Sequence, residues 1–198
     1  MNISLRRLLG LSSLGLLALA PLAAFASQGE GEIVHTESRT TAVGERIRVH
    51  TLELEAPVQK VWDACTTSEG WQAWSAPKVE LDLRVGGQIR THYDTSAKLG
   101  DEGTIYLEVL AYVPLELLTL RAEVSSNWPE IMKKDADRLS NVMLFQELGP
   151  ERTRLISYGI GYGDAPEYED LLEFFRAANV QLYRGLKRYV ENDEDEAR

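Results

Sequence analysis

Cysteine is almost absent from this chain of 198 residues, and its scarcity limits the covalent chemistry available. Cys65 is the single cysteine, so no internal disulfide can form, and no cysteine near the N-terminus offers a lipid attachment point. Its neighbours Val61, Trp62 and Ala64 are apolar, which favours a small buried side chain over a reactive thiol.

Histidine and phosphate-binding patterns are also scarce. The three histidines, His35, His50 and His92, belong to separate predicted elements and lack the spacing of a metal-ligand pair. The glycine-rich segments have the pattern of turns rather than of a loop that cradles phosphate. The sequence therefore predicts no metal and no cofactor.

Basic residues are outnumbered, with 21 Lys and Arg against 31 Asp and Glu, for a net charge of −10. Nucleic acid and anionic membranes are poor partners for such a surface. The acidic residues at 192–198 have the composition of a solvated tail. The length suits one domain, and an apolar fraction of 44% is ordinary for a globular protein.

Residues 1–26 have the form of a signal peptide. Arg6 and Arg7 precede an apolar run over residues 8–22, and Ala24, Phe25 and Ala26 precede a polar stretch. The run is shorter than the roughly 20 residues of a membrane-spanning helix, which favours cleavage after Ala26 and leaves no membrane span. We therefore expect a periplasmic or secreted protein, exported by general secretion or, as the arginine pair also allows, by the twin-arginine route.

The pattern over residues 164–191 predicts a long C-terminal helix. Asp164 is placed as an N-cap, Pro166 suits the first turn, and Glu167 stands three residues after the cap. Apolar residues then recur at spacings of three and four: Leu171, Phe175, Ala178, Leu182, Leu186 and Tyr189. A helix with one broad apolar face needs a partner surface, and a curved sheet provides one.

The preceding residues supply strands with a period of two. Residues 27–45 are interpreted as a linker or loose hairpin, and Pro57 opens the first of two short helices after the first strand. Residues 125–140 are interpreted as a short helix or a mobile flap. The predicted strands cover residues 46–56, 79–83, 89–93, 105–111, 118–122, 141–148 and 152–160.

Several short motifs resemble one known family. They are Pro57, Val61, Trp62, Ala64, Thr66, Gly70, Trp74, Pro77, Asp82 to Arg84, Gly86, Gly87, Leu107 to Val109, Pro114 and Thr153 to Leu155. With the element order, they are similar to the START-like (SRPBCC) superfamily, in the branch related to the activator of the heat-shock protein 90 ATPase.

This resemblance implies an α+β helix-grip fold over residues 46–191, in which a curved antiparallel sheet wraps around the C-terminal helix. It also implies a cavity that in many members holds an apolar small molecule. No catalytic residue is carried over. An exported protein has no ATP or cytosolic chaperone beside it, which argues against a co-chaperone role.

Strand alternation indicates which residues face this cavity. If Thr153 and Leu155 point inward, Ser157 and Gly159 do too, and such small side chains leave room beneath the helix. The alternative is a filled core without a ligand. The predicted cavity lining is Trp71, Trp74, Ile89, Tyr93, Met143, Phe145, Ser157, Gly159, Phe174, Phe175, Ala178 and Leu182.

Three functions remain open on the sequence alone. The first is an exported binding or carrier protein for a small hydrophobic molecule. The second is a cyclase- or hydrolase-like enzyme that uses a tyrosine or Glu147 at the pocket wall, or an acid–base pair of His92 and Asp94. The third is a protein-interaction module that uses the outer face of the sheet. The sequence indicates no oligomeric state.

Overall fold

The computed structural model describes residues 34–124, 128 and 130–192. The predicted signal peptide, residues 27–33 of the predicted linker and residues 193–198 of the predicted tail lie outside the described residues. In the described part of the chain, no helix is long and apolar enough to cross a membrane.

The described chain folds into strands and helices that form an α+β structure. The strands are β1 (His35–Thr40), β2 (Arg46–Leu54), β3 (Lys78–Leu81), β4 (Gln88–His92), β5 (Ile105–Val113), β6 (Leu117–Ala122), β7 (Ser140–Gly149) and β8 (Arg152–Tyr162). The helices are α1 (Val58–Thr66), α2 (Ser68–Trp74), α3 (Glu130–Lys134) and α4 (Glu167–Glu191).

All strands join one antiparallel sheet in the order β1-β2-β8-β7-β6-β5-β4-β3. Register shifts interrupt β2 between Arg46 and Arg48, β5 between Val109 and Ala111, and β7 after Glu147. Such irregularities bend a strand and increase its twist, so the sheet curves around α4. The predicted helix-grip fold is confirmed.

The N-terminal edge of the sheet extends further than the sequence predicts. Residues 35–40 form β1, which pairs along the length of β2 and is joined to it by a turn with Gly44 at a φ of 84°. Residues 35–40 thus form a β-hairpin with β2. The two short helices consequently follow the second strand of the sheet.

Helices α1 and α2 meet at a tight corner. The Thr67 hydroxyl caps α2 by accepting a hydrogen bond from the Gly70 amide at 3.0 Å. A Cβ atom at Gly70 would lie 2.4 Å from the Asp63 carbonyl oxygen, which explains why glycine stands here. Helix α2 brings Trp71 and Trp74 beneath α4.

Helix α4 begins three residues later than its predicted cap. Pro166 occupies the N-cap position without a side-chain hydrogen bond, so the predicted cap by Asp164 is wrong. The carbonyl oxygen of Asp164 instead accepts a hydrogen bond from Arg46. Glu167, Glu169 and Asp170 lie in the first turn, where their charges complement the helix dipole.

Helix α4 is buried near both ends and less so in its middle. Tyr168 and Leu171 belong to a small apolar group, here called the end cluster, with Met132, Leu139 and Tyr162. Tyr183, Leu186 and Val190 belong to the main core, which includes Leu52, Leu118, Leu155, Trp62 and Phe145. Between these two groups the residues of α4 are only partly buried or exposed, including Phe175, Ala178 and Leu182 of the predicted stripe.

Gly185 sets how closely α4 approaches α2. A Cβ atom at this position would lie 2.8 Å from the carbonyl oxygen of Trp74, a backbone atom with little freedom to move. We predict that Gly185→Ala lowers the free energy of unfolding by about 1–3 kcal/mol in urea titrations. Helix propensity alone predicts the opposite sign, a gain of about 1 kcal/mol.

Gly149→Ala is the control, because nothing lies within 4 Å of a Cβ atom there. A stability gain in Gly185→Ala would show that the two helices are not in tight contact.

Candidate functional site

A cavity of about 270 Å³ lies between the sheet and the middle of α4, and it is partly open to solvent. Its walls come from α2, from strands β2 and β4 to β8, from α4 and from the residues around α3. Most of its lining is apolar or aromatic, with Trp71, Trp74, Tyr93, Ile105, Leu107, Leu120, Ala122, Trp128, Met132, Leu139, Met143, Tyr162, Phe175, Leu182 and Tyr183. Its more polar members are Arg48, Ser75, Thr91, Ser140, Asn141 and Asn179, and Gly159 also lines it.

The position of the cavity follows from the packing of α4. The main core ends at Tyr183 on one side and the end cluster ends at Leu171 on the other. Phe175, Asn179 and Leu182, spaced four and three residues apart, lie on the helix face above the gap. The gap between the two apolar groups is the cavity.

The structure places seven of the predicted lining residues at the cavity wall. They are Trp71, Trp74, Tyr93, Met143, Gly159, Phe175 and Leu182. Trp71 and Trp74 lie side by side with ring centroids 5.1 Å apart, and the Trp74 indole nitrogen donates to the carbonyl oxygen of Ala64 at 2.8 Å. That bond holds the orientation of this wall. The role of these residues in binding a ligand stays a prediction.

The other five predicted residues lie away from the cavity wall. Ile89 and Phe145 are buried in the main core, where the Phe145 ring meets the Trp62 ring edge-on at 5.1 Å. Phe174 is 47% exposed and Ala178 is partly buried, so both lie on flanks of α4 outside the gap. Ser157 is fully buried and hydrogen-bonded.

Ser157 anchors a polar network instead of leaving empty space. Its hydroxyl oxygen accepts hydrogen bonds from the Tyr183 hydroxyl at 2.6 Å and from the Asn141 amide at 2.8 Å. Burial raises the pKa of Tyr183 to about 12, although the Ser157 contact opposes that rise. The Tyr183 phenol is therefore neutral at physiological pH, and the network joins β7, β8 and α4.

Arg48 is a buried cation in the cavity wall. Arg48 is 4% exposed, and its Cζ atom lies 5.5 Å from the centroid of the Tyr162 ring and 5.4 Å from the centroid of the Phe175 ring. Nη1 donates to the Leu172 carbonyl oxygen and Nη2 to the Tyr162 hydroxyl, each at 3.4 Å. Nε is buried without a hydrogen-bond partner.

Gly159 makes room for this guanidinium. A Cβ atom at position 159 would lie 2.9 Å from Nη2 of Arg48 and 3.2 Å from the Tyr162 ring. The small side chain that sequence reasoning places beneath the helix does leave space, but part of that space holds a charged group. Glycine at 159 and arginine at 48 therefore depend on each other.

His50 lies on the same strand as Arg48 and is completely buried. Its Nδ1 is 3.0 Å from the Thr36 hydroxyl, its Nε2 has no hydrogen-bond partner, and its ring centroid is 5.6 Å from that of Tyr183. Burial first, and then the positive charges of Arg48 and Arg176, lower the pKa of His50 to about 4. The imidazole is therefore neutral at physiological pH.

The predicted acid–base groups lie elsewhere. Glu147 is exposed on β7 and does not line the cavity, which corrects its placement at the pocket wall. His92 is 6% exposed rather than solvated, and its ring accepts a hydrogen bond from the Asp94 amide at 3.0 Å while contacting the Glu102 carbonyl oxygen. The Asp94 carboxylate accepts from Ser96 instead. His92 and Asp94 thus organise a loop.

Sequence reasoning missed several residues of the wall. Met132 and Leu139 come from the segment at 125–140, whose described residues include α3, and Trp128 stacks on Phe175 with centroids 6.2 Å apart. The place of Arg48 in the cavity wall was missed because strand alternation from Ile47 and Val49 predicts that its side chain points away from the core. Residues 48–50 are in fact all buried, so β2 is covered on both faces there.

The chain matches one family by sequence. The family described as Activator of Hsp90 ATPase homolog 1-like protein matches residues 55–191. The chain belongs to this family. Its fold is the helix-grip fold of ligand-binding or activator-like domains in general. No curated protein matches the chain at a significant level.

Solved structures share this fold at low identity. CalU16 from Micromonospora echinospora, in solution, is 19% identical with a TM-score of 0.57, over 84% of this chain and 79% of that chain. The Aha1 dimer from Colwellia psychrerythraea is 15% identical with a TM-score of 0.55, over 74% and 96%. A conserved protein of unknown function from Enterococcus faecalis is 17% identical with a TM-score of 0.55, over 80% and 78%.

The buried His50 predicts an acid-sensitive fold. The unfolded chain takes up a proton near pH 6.5, whereas the folded protein resists it until about pH 4. Stability from this residue is therefore complete above pH 6.5 and is lost as the pH falls toward 4. Between pH 8 and pH 5 we expect wild-type protein to lose about 2 kcal/mol more of its unfolding free energy than His50→Asn does.

Urea titrations at both pH values measure this difference. Both proteins share the other titrating groups, so the contribution of those groups cancels when the two losses are subtracted. Equal losses in the two proteins would show that the folded state accepts a proton on His50.

Proposed function

We propose that this family member is an exported binding or carrier protein that holds a small hydrophobic molecule in the cavity beneath α4. The partly open, largely apolar cavity of about 270 Å³ carries this proposal. Its volume is near the lower end of the roughly 300–1,000 Å³ typical of small-molecule sites. Aromatic walls with a few polar groups are also typical of such sites.

The chemistry of the lining favours carriage over catalysis. No carboxylate and no imidazole occurs among the described residues that line the cavity. Tyr183, the phenol with a pKa near 12, is a poor general base at neutral pH. The lining therefore provides a concave apolar surface and a few hydrogen-bond donors, which suffice to hold a ligand.

Export is the second part of the proposal and rests on residues 1–26. Two arginines, an apolar run and a small-residue cleavage site are the features of a secretory leader. Activation of a chaperone ATPase requires ATP, which an exported protein does not meet, whereas a carrier protein requires no nucleotide. Export thus supports carriage as the role of this family member.

A cavity-filling substitution tests the carrier function. Ala122 lines the cavity on β6, so Ala122→Phe places a ring where the ligand would lie. We expect the affinity for the neutral apolar dye N-phenyl-1-naphthylamine, measured by its fluorescence gain, to fall about 5- to 150-fold, because overpacking by one ring costs about 1–3 kcal/mol.

Ala111→Phe is the matched control, since Ala111 is exposed on the neighbouring strand β5. It should leave the dye affinity unchanged. Equal affinities in all three proteins would place the dye outside the cavity, and no binding to wild-type protein would refute carriage of apolar molecules.

The leader makes an independent prediction about the mature N-terminus. Expression of the full chain in a Gram-negative host should yield periplasmic protein whose intact mass corresponds to an N-terminus at Ser27. Ala26→Arg should block processing, because signal peptidase requires a small residue before the cleaved bond. Full-length protein confined to the cytosol would rule out export and leave the cavity proposal untouched.

A further inference from the structure

The guanidinium of Arg48 is less well satisfied than a buried cation normally is. It offers five N–H donors, yet its two hydrogen bonds are 3.4 Å long, against about 2.9–3.0 Å for an ordinary N–H···O bond. Nε has none. No carboxylate forms an ion pair with Arg48 anywhere in the described ranges 34–124, 128 and 130–192.

Its surroundings offset this deficit only in part. The rings of Tyr162 and Phe175 contribute cation–π attraction. Neither the His50 imidazole nor the Tyr183 phenol, both neutral at physiological pH, supplies a negative charge. Burial of an unpaired charge is strongly unfavourable. The protein therefore maintains an electropositive group, without a counterion among the described residues, at a cavity that is otherwise mostly hydrocarbon.

We propose that the cavity takes amphiphiles with a single carboxylate, whose head group pairs with Arg48 while the hydrocarbon part lies against Trp71, Trp74 and Leu120. The planar guanidinium fork matches the two oxygens of a carboxylate. One arginine balances one negative charge, whereas a phosphate monoester carries about −1.5 to −2 and would leave buried charge uncompensated. This proposal rests on the carrier function and specifies its ligand class.

Three probes with one chain length test the head group. Dodecanoate, 1-dodecanol and dodecyl phosphate are titrated into the purified protein at pH 8, and quenching of tryptophan fluorescence reports binding. We expect dodecanoate to bind about 10- to 100-fold more tightly than 1-dodecanol, the range for a hydrogen-bonded charge. Dodecyl phosphate should bind more weakly than dodecanoate.

Arg48→Met removes the charge and keeps an unbranched apolar side chain. It should abolish the preference for dodecanoate, because the loss of the charge weakens dodecanoate binding far more than 1-dodecanol binding. Arg46→Met is the matched control, because Arg46 lies on the same strand, pairs with Glu169 at 3.4 Å and does not line the cavity. This control should keep the wild-type preference.

Stability without ligand distinguishes a binding arginine from a structural one. Replacement of an unsatisfied buried charge by an apolar side chain is commonly neutral or stabilising. The thermal midpoint of ligand-free Arg48→Met should therefore equal or exceed that of wild-type protein. A midpoint lower than that of Arg46→Met would assign Arg48 a structural role and overturn the proposal.

The wild-type titrations test the head group without any variant. Equal affinities for dodecanoate and 1-dodecanol would overturn the carboxylate proposal and leave the carrier function standing. Binding of none of the three probes would overturn both. Tighter binding of dodecyl phosphate would assign the site to a dianionic head group instead.

Discussion

The structure depends on how α4 is held, by apolar contacts near its two ends. Leu171 and Tyr183 bound its less buried middle, and the twelve residue steps from one to the other span about 18 Å. A continuous helix cannot bend sharply toward the sheet without losing backbone hydrogen bonds. Closure would therefore require the sheet to move, and bulky walls such as Trp71 and Trp74 oppose that movement. The cavity therefore exists because α4 is a continuous helix that packs against two separate apolar groups.

Polar groups beneath α4 fall into two kinds that differ in their hydrogen bonding. Ser157, Tyr183 and Asn141 satisfy one another at 2.6–2.8 Å and link two strands to the helix, so they are explained by the fold. Arg48 is held by long contacts and aromatic faces, and His50 keeps one nitrogen unbonded. Fully connected networks stabilise a core, whereas partly satisfied groups in a native protein call for a functional explanation.

Much of the fold follows from the sequence because periodicity reports directly on burial. The spacing after Leu171 predicts α4, and alternation from Thr153 to Gly159 correctly predicts the inward face of β8. Alternation shows that Ser157 faces inward, but it does not show which groups occupy the space opposite a small residue. The hydrogen bonds that Ser157 accepts from Tyr183 and Asn141 therefore could not be predicted. It also assumes one solvated face, and β2 at Arg48 has none. The predicted cap at Asp164 is wrong because Pro166 occupies the N-cap position instead.

Membership of the family leaves the ligand open, because proteins that are 15–19% identical share the fold alone. Specificity must then arise from side chains that the fold does not require. Most of the wall consists of interchangeable hydrocarbon, which selects for size more than for identity. Gly159 and Arg48 are different, since neither suits a well-packed apolar core and each is accommodated by the other. A buried cation held in this way is explained if a bound ligand supplies the missing negative charge.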